Sequence, residues 1–308
     1  MAMRKGGDLI AEFLVKEKMP YVFGICGHGN VGLLDSLYEV RDEVKLVSPR
    51  HEQTAAHMAD GFFRVSHRPA ATLTSTGPGS ANLIMGLAVA QTDSSAVFSI
   101  TANVPTSQFN RGPFQELNQH HQADFNNVIR PVVKRSFQPT RVEMLPLAMR
   151  QAAQTMTTGR PGPVNLDVPY NLFVESAEVK EEAPWNGFGT RRSGASPDDV
   201  ATVLDWLLAA ERPVIFVGHG VTLSEAGREL TALAERLSAG RQLERGVGEP
   251  PEPGWQVGPG ASSPPATASD GASRPQPPPR EGWGWDCSRL RWCQPGPGES
   301  SKRASPST

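Results

Sequence analysis

The chain has 308 residues, a formal net charge of −2 and an isoelectric point near 6.4, and 20% of its residues are charged. This balance gives no basic excess for nucleic acid and no acidic excess for a cationic partner. Asp8 and Glu12 interrupt the apolar N-terminal stretch, so no signal peptide is predicted, and no apolar run is long enough to predict a membrane span. Cys26, Cys287 and Cys293 form neither a disulfide framework nor a zinc-ligand set. We therefore expect a reduced, cytoplasmic protein without a metal site of its own.

Apolar strands alternate with amphipathic helices through the first half of the chain. The predicted strands are Tyr21–Ile25, Val44–Val47, Ala70–Thr74, Ala96–Thr101 and Val164–Val168. The predicted helices are Val31–Val40, His51–Val65, Asn82–Ala90 and Arg141–Met156. Strands and helices that alternate at this spacing indicate a parallel sheet with helices on both faces. We therefore predict an α/β, doubly wound domain over residues 1–175.

The second half of the chain changes character twice. Residues 176–196 are polar and predict a linker, and residues 197–238 predict the beginning of a second, flavodoxin-like α/β domain that is incomplete. Its elements are predicted as helix Pro197–Ala209, strand Pro213–Val217 and helix Ser224–Leu237. In residues 239–308 roughly a third of the residues are Pro or Gly, against about 12% in average proteins. We predict a disordered tail there, arising from out-of-frame sequence or, alternatively, serving as a linker to an interaction partner.

Three short segments follow predicted strands, where parallel sheets bind their ligands. They are Gly27–Asn30, Arg50–Gln53 and Gly77–Asn82. Glycine after a strand permits close backbone approach to a ligand, although a tight loop explains a lone Gly-Pro-Gly turn more often. The spacing matches neither a dinucleotide fingerprint nor a phosphate-binding P-loop. The segments therefore predict a ligand site without identifying its ligand.

Taken together, several segments resemble the pyrimidine-binding domain of the acetolactate synthase family of thiamine-diphosphate enzymes. They are Val22–Gly24, Arg50–Gln53, Ala55–Ala56, Met58–Gly61, Thr74–Asn82, Asp93–Ser95, Gly112–Glu116, Gly159–Val164 and Leu166–Pro169. The resemblance covers residues 4–237 in order and with the family's spacings. It implies thiamine-diphosphate-dependent carboligation or decarboxylation of 2-keto acids such as pyruvate. It also implies a homo-oligomer, a dimer or tetramer, formed through the pyrimidine domain.

Glu52 is the residue to which the resemblance assigns the main catalytic role. In the family, the matching glutamate hydrogen-bonds N1′ of the cofactor's aminopyrimidine and promotes the tautomer that removes the thiazolium C2 proton. The alternative interpretation of Glu52 is an acidic residue favoured at a helix start by the helix dipole.

The resemblance also places four other residues close to the pyrimidine: Gly27, Ser75, Pro78 and Asn82. For Asn82 a role confined to the turn and helix cap is an equal alternative.

Three further residues match family positions in the outer parts of the site. Phe114 and Gln115 match residues near the substrate and the thiazolium, and the alternative is a core aromatic beside a solvated neighbour. Arg160 matches an arginine that contacts FAD in the flavin-containing synthases, and its alternative is a surface turn residue before Pro161.

Two departures from the synthase pattern leave the substrate open. Cys26–Asn30 stands where synthases commonly have Pro-Gly-Gly, and it is more similar to the trihydroxycyclohexanedione hydrolases of the same superfamily. His120 and His121 resemble the catalytic histidine pair of pyruvate-type decarboxylases, although a tandem pair in a polar loop is usually only solvated. A 2-keto acid decarboxylase and a ring-opening hydrolase therefore remain alternatives to the synthase.

A third departure concerns the diphosphate end of the cofactor. In the superfamily, Mg²⁺ and diphosphate are held by a C-terminal domain with a Gly-Asp-Gly…Asn signature, and this sequence contains no Gly-Asp-Gly. The resemblance therefore implies that this chain supplies only the pyrimidine side of the site and is inactive alone. A second alternative is an inactive fragment that pairs with a full-length subunit.

Overall fold

The structure is a computed structural model that describes residues 2–116, 125–180 and 194–244, with side chains described up to residue 237. The chain divides into two compact units, residues 1–248 and 249–308, and all described residues lie in the first. The predictions for His120 and His121, for residues 181–193 of the linker and for residues 245–308 of the tail lie outside the described residues.

The central feature is a parallel sheet of six strands. The strands of the described residues are β1 Ala2–Lys5, β2 Tyr21–Gly24, β3 Lys45–Val47, β4 Ala70–Thr74, β5 Val97–Asn103, β6 Arg135–Phe137, β7 Val164–Pro169 and β8 Ser176–Val179. The sheet has the order β3-β2-β4-β5-β7-β6, and every neighbouring pair is parallel. β4, β5 and β7 are buried along their whole length, as expected of a sheet covered on both faces. The predicted α/β class with a parallel sheet is confirmed.

Helices cover both faces of this sheet. The helices of the described residues are α1 Gly6–Lys16, α2 Val31–Glu39, α3 Glu52–Ser66, α4 Pro78–Ala81, α5 Ile84–Thr92, α6 Phe125–Ile129, α7 Leu145–Thr157, α8 Asn171–Val174, α9 Pro197–Ala209, α10 His219–Leu223 and α11 Gly227–Glu244, of which those of the first domain cover the sheet. α1, α2 and α7 contribute to one buried apolar cluster, and α3, α5 and α6 contribute to the other. No helix in the described segments is long and apolar enough to cross a membrane.

Helix α1 was not predicted, because it begins with two glycines, which are poor helix formers. The packing of α1 explains both glycines, Gly6 and Gly7. A Cβ on Gly6 would lie 2.0 Å from the carbonyl oxygen of Leu172, and one on Gly7 would lie 2.8 Å from that of Phe173. The two glycines therefore let α1 approach the backbone of α8, and this tertiary contact outweighs their weak propensity.

Strand β8 lies at the start of the segment predicted as a linker. Ser176–Val179 pairs antiparallel with Ala2–Lys5, so the two ends of the first domain are joined by a small second sheet. The short edge strand β6 was also missed. Both assignments depend on a partner far away in the chain, which local patterns do not reveal.

Two predictions in the C-terminal part of the described chain are wrong in detail. Pro213–Val217 forms no strand, and the side chains of Val214 and Phe216 are 87% and 98% exposed. An apolar run becomes a strand only where a neighbouring strand pairs its backbone groups, and no such neighbour exists among the described residues. The helix predicted to begin at Ser224 begins at Gly227, after the short helix α10, and continues to Glu244.

A buried polar network crosses the middle of the sheet between β5 and β7. The side chain of Asp167 is fully buried, and its carboxylate accepts hydrogen bonds from Thr101 Oγ1 at 2.9 Å, Asn103 Nδ2 at 2.7 Å and Gln138 Nε2 at 2.8 Å. Buried polar groups of this kind stabilise a fold only while every partner is satisfied. Asp167 is therefore the shared acceptor of two buried donors, on Thr101 and Asn103, and of the half-buried Gln138.

Replacing Asp167 with Ala should lower the free energy of unfolding by about 3 kcal/mol, because a buried carboxylate that accepts three hydrogen bonds is lost from the network. Equilibrium urea unfolding followed by circular dichroism measures the change. Asp42→Ala, at an exposed position, is the matched control and should change the free energy by less than about 0.5 kcal/mol. Equal effects of the two substitutions would contradict the role given to the network.

Candidate functional site

Several of the residues predicted for the site meet at the carboxyl edge of the sheet. β2, β3 and β4 are parallel neighbours that end at this edge, so the segments that follow them lie side by side. A Cβ on Gly27 would lie 2.5 Å from Ser75 Cβ, and a Cβ on Gly79 would lie 3.2 Å from Glu52 Oε1. The structure therefore brings Gly27, Glu52 and Ser75 together.

Glu52 is the first residue of α3 and is half-buried. The helix is capped by His51, whose Nδ1 accepts a hydrogen bond from the Gln53 backbone N–H at 3.2 Å. Glu52 Oε2 accepts a hydrogen bond from Asn82 Nδ2 at 2.9 Å, and no hydrogen bond from the described part of the chain reaches Oε1. The helix dipole favours a negative charge here, which agrees with the helix-start interpretation. The free oxygen leaves one acceptor open toward the glycine-lined edge.

Asn82 and Pro78 frame the short helix α4. Pro78 is its first residue and is exposed, and Asn82 ends it. Because the Asn82 side chain is exposed and donates to Glu52, it does more than terminate the helix. It fixes the orientation of the carboxylate.

The turn after β2 is held by Asn30, a residue that sequence reasoning left without a role. Asn30 is fully buried, its Oδ1 accepts from the Gly27 N–H at 2.9 Å, and its Nδ2 donates to the Ile25 carbonyl at 2.9 Å. Ser75 Oγ accepts a further hydrogen bond from the Gly29 N–H at 3.2 Å. The turn is therefore tied both to itself and to the end of β4. The sequence signal for this role was the position of Asn30 directly after a Gly-x-Gly turn. Asparagine side chains in turns commonly hydrogen-bond the nearby backbone.

The loop that carries Phe114 and Gln115 is held over the same edge by Glu116. The Glu116 side chain is buried, and its two oxygens accept from the backbone N–H groups of Asn110 at 2.9 Å and Gly112 at 2.8 Å. Phe114 is 79% exposed, so the alternative of a core aromatic is wrong. Glu116 lies in the Gly112–Glu116 segment that resembles the family, but the sequence carries no signal for this anchoring contact.

Gln115 contacts the turn after β4 directly. Its Oε1 accepts a hydrogen bond from Thr76 Oγ1 at 2.8 Å. Gly77 has a φ of +58°, and a Cβ there would lie 2.5 Å from the Gln115 carbonyl oxygen. Both the positive φ and the missing space require glycine at this position. The backbone of the Phe114 loop therefore lies in contact with the turn after β4.

His28 lies at the tip of the turn after β2 and is exposed. Its ring centroid is 6.0 Å from that of Phe114 and 6.0 Å from that of Tyr170, and its Nε2 is 3.4 Å from Thr76 Oγ1. It thereby joins the Phe114 loop to the turn after β4.

Arg160 lies at the opposite, amino edge of the sheet, in the turn before β7. Its Nε donates to Ser94 Oγ at 2.6 Å, and its Nη2 donates to the carbonyls of Gln91 and Thr92 at the end of α5. The Arg160 carbonyl accepts from Lys134 Nζ at 2.8 Å, and burial lowers the pKa of Lys134. The structure thus does not bring Arg160 to Glu52. Its contacts agree with the surface-turn interpretation.

Metal binding was not predicted for this chain. Among the described residues, no group of three or more His, Cys, Asp and Glu side chains is arranged to hold a metal ion. The candidate site of the described segments consists of one carboxylate, neutral polar groups, an imidazole and close-packed glycines.

Comparison with known proteins identifies the family that the chain resembles. Residues 4–122 match the family "Thiamine pyrophosphate enzyme, N-terminal TPP binding domain". The chain is 35% identical over 236 residues to the probable acetolactate synthase large subunit of Methanocaldococcus jannaschii, covering 75% of this chain and 38% of that protein. It is 31% identical over 242 residues to the acetolactate synthase large subunit of Haemophilus influenzae, covering 77% and 41%. The acetolactate synthase isozyme 3 large subunit of Escherichia coli is 30% identical, with the same coverage.

This chain spans about two fifths of the length of these relatives. The matched family covers Gly27, Glu52, Ser75, Asn82 and the Phe114 loop, which are the parts of the chain that meet at the carboxyl edge. The chain is therefore a homologue of acetolactate synthase large subunits over about three quarters of its length, and its N-terminal part belongs to the thiamine pyrophosphate enzyme N-terminal TPP-binding domain family.

Proposed function

We propose that this chain supplies the aminopyrimidine side of a thiamine-diphosphate site that acts on 2-keto acids such as pyruvate, with acetolactate synthesis as the reaction. The observation that carries the proposal is the Glu52 carboxylate. One of its oxygens is held by Asn82 and the other is open at a glycine-lined edge. The similarity to acetolactate synthase large subunits supports the reaction type.

The residues at this edge fit an aminopyrimidine ring. A flat heterocycle with hydrogen-bonding nitrogens needs a fixed acceptor and a surface that it can approach closely, and Glu52 beside Gly79 offers both. Bound thiamine diphosphate would supply the nucleophilic carbon and the electron sink that 2-keto acid chemistry requires. Within this chain, Glu52 would bind and polarise the ring, and Asn82 would keep the carboxylate in place.

The diphosphate and Mg²⁺ are assigned by this proposal to residues outside the described part of the chain, on a subunit or domain that carries the Gly-Asp-Gly signature. A diphosphate is highly charged and needs a metal ion and oriented donors. The chain would then act within an oligomer in which its edge faces that second part. Flavin is left out of the proposal, because the guanidinium of Arg160 is already hydrogen-bonded to Ser94 and to the end of α5.

Titration calorimetry of the 308-residue chain with thiamine diphosphate and Mg²⁺ tests the half-site directly. We expect a dissociation constant weaker than about 1 mM for the chain alone, since the charged end of the cofactor would lack its partners. Micromolar binding by the chain alone would contradict the division of the site. In an assembled enzyme given pyruvate, acetolactate is the expected product, whereas acetaldehyde would favour a decarboxylase.

Replacing Glu52 with Gln should weaken binding of thiamine, the form of the cofactor without diphosphate, by about 10- to 100-fold. The change removes the charge from the acceptor of a charge-assisted hydrogen bond. Saturation-transfer NMR on the aminopyrimidine protons measures this weak binding in the isolated chain. In an assembled enzyme the same substitution should lower kcat by roughly 10²- to 10⁴-fold.

The matched control for this experiment is Glu43→Gln, which changes an exposed carboxylate in the turn after α2. It should leave thiamine binding unchanged. If Glu52→Gln and Glu43→Gln bind thiamine equally well, Glu52 is only a helix-start residue and the proposal fails.

Replacing Glu116 with Ala should release the Phe114 loop, because the N–H groups of Asn110 and Gly112 lose a buried acceptor. We expect amide hydrogen exchange over residues 106–116 to rise at least about tenfold while exchange in β4 and β5 stays unchanged. Exchange over residues 106–116 in Glu116→Gln, which keeps one acceptor oxygen, should lie between that of the unchanged chain and that of Glu116→Ala. Unchanged exchange in the Ala variant would show that the loop is held by other contacts.

A further inference from the structure

The proposed function gives no role to His28, an exposed side chain at the carboxyl edge. The glycines on both sides of it fix the position of its backbone. A Cβ on Gly27 would lie 2.5 Å from Ser75 Cβ, and a Cβ on Gly29 would lie 2.7 Å from Thr76 Cγ2. The turn is therefore packed tightly against the end of β4, and it holds the imidazole at this edge.

Ser75 connects the turn of His28 to the Glu52 carboxylate. Ser75 is the residue that a Cβ on Gly27 would touch. A Cβ on Gly79 would lie 3.8 Å from Ser75 Cβ and 3.2 Å from Glu52 Oε1. Ser75 therefore neighbours both parts of the edge, and a ligand that reaches the open oxygen of Glu52 lies on the same side of the sheet as His28.

The hydrogen bonds around Thr76 determine which nitrogen of the neutral His28 ring carries the proton. A threonine hydroxyl has one proton to donate, and Thr76 donates it to Gln115 Oε1 at 2.8 Å. His28 Nε2 lies 3.4 Å from the same hydroxyl oxygen and must then be the donor in that contact. Nδ1 is left as an acceptor, and no hydrogen bond reaches it from the parts of the chain that the structure describes.

Two aromatic rings pack beside this acceptor. The centroids of Phe114 and Tyr170 each lie 6.0 Å from that of the His28 ring, and the Tyr170 ring stands edge-on to it at 80°. Aromatic rings offer a large apolar surface, which suits the methyl groups of a small ligand. A neutral acceptor next to such a surface is complementary to a hydroxyl group on a branched, otherwise apolar carbon.

We propose that His28 is a specificity-determining residue whose Nδ1 accepts a hydrogen bond from the hydroxyl group of an α-hydroxy ketone. The inference rests on the proposed function, because acetolactate is a compound of this class. When two 2-keto acids are joined with loss of carbon dioxide from one, the carbonyl oxygen of the other takes up a proton and becomes a hydroxyl next to the remaining keto group. A site that hydrogen-bonds this hydroxyl discriminates against an analogue with methyl in its place.

NMR of the ¹⁵N-labelled histidine rings tests the protonation pattern in the 308-residue chain. The spectra are recorded near pH 8, above the ordinary titration range of histidine. The chain contains seven histidines, and His28→Asn identifies the His28 signals by their loss. Without ligand, His28 should carry its proton on Nε2. Thr76→Val should abolish this preference, because it removes the acceptor of the Nε2 proton.

Acetoin is the probe for the binding step, because it is acetolactate without the carboxylate and keeps the hydroxyl next to the keto group. At about 100 mM, a range that detects millimolar binding, acetoin should move the Nδ1 resonance toward the protonated position. A ring nitrogen that accepts a hydrogen bond shifts in this direction. Methyl isopropyl ketone, which has methyl in place of the acetoin hydroxyl, should leave the resonance unchanged.

Two variants separate the acceptor from the bulk of the side chain. His28→Leu should weaken acetoin binding, measured by saturation-transfer NMR, about threefold to tenfold, as expected for one lost hydrogen bond. His28→Asn should retain most of the binding, because its side-chain oxygen offers an acceptor near the place of Nδ1. Thiamine binding should be unchanged in both variants. His219→Leu, at an exposed histidine of α10, is the matched control and should bind acetoin normally.

The outcomes separate the two proposals. The role of His28 is overturned by the absence of an acetoin-dependent shift at Nδ1, by an equal shift with methyl isopropyl ketone, or by undiminished acetoin binding in His28→Leu. Each of these results leaves thiamine binding through Glu52 intact. An acetoin-dependent shift in a chain whose thiamine binding ignores Glu52 supports His28 and overturns the proposed function.

Discussion

The close packing of turns at the carboxyl edge of the sheet is the constraint on which the site depends. β2 and β4 are parallel neighbours, so the turns that follow them must share one edge. At Gly27 and Gly29 there is no room for a Cβ against Ser75 and Thr76. A larger residue would push the turns apart and move Ser75 away from Gly79 and the Glu52 carboxylate. These glycines are required for space, whereas Gly77 is required for its positive φ as well.

The structural and chemical interpretations of Glu52 are compatible, because they use different features of one side chain. A negative charge at the start of α3 is favoured by the helix dipole. Oε2 is occupied by Asn82, and this contact orients the group without consuming Oε1. Stability and ligand binding therefore do not compete for the same acceptor, which explains how a helix-start acid can also serve a site.

Much of the sheet was predictable, because its strands carry local signals. Ala70–Thr74 is a buried apolar run before a glycine turn, and its predicted bounds are those of β4. The failures share a different cause. β8 is a strand because Ala2–Lys5 lies beside it, and Pro213–Val217 is not a strand because none of the described residues pairs with it. Pairing with a distant segment decided both, and no local pattern encodes it.

The sequence signals for the candidate site are uneven in the same way. Glu52, Gly27, Ser75 and Asn82 lie in recognisable segments, whereas Asn30 and Glu116 were given no role. Both of these residues are buried. Asn30 accepts one backbone N–H hydrogen bond and Glu116 accepts two, in each case from a glycine-containing turn. Such turns make few backbone hydrogen bonds of their own, so their N–H groups need side-chain acceptors when they are buried. An edge lined with glycine can be held in one conformation only if buried acceptors of this kind accompany it.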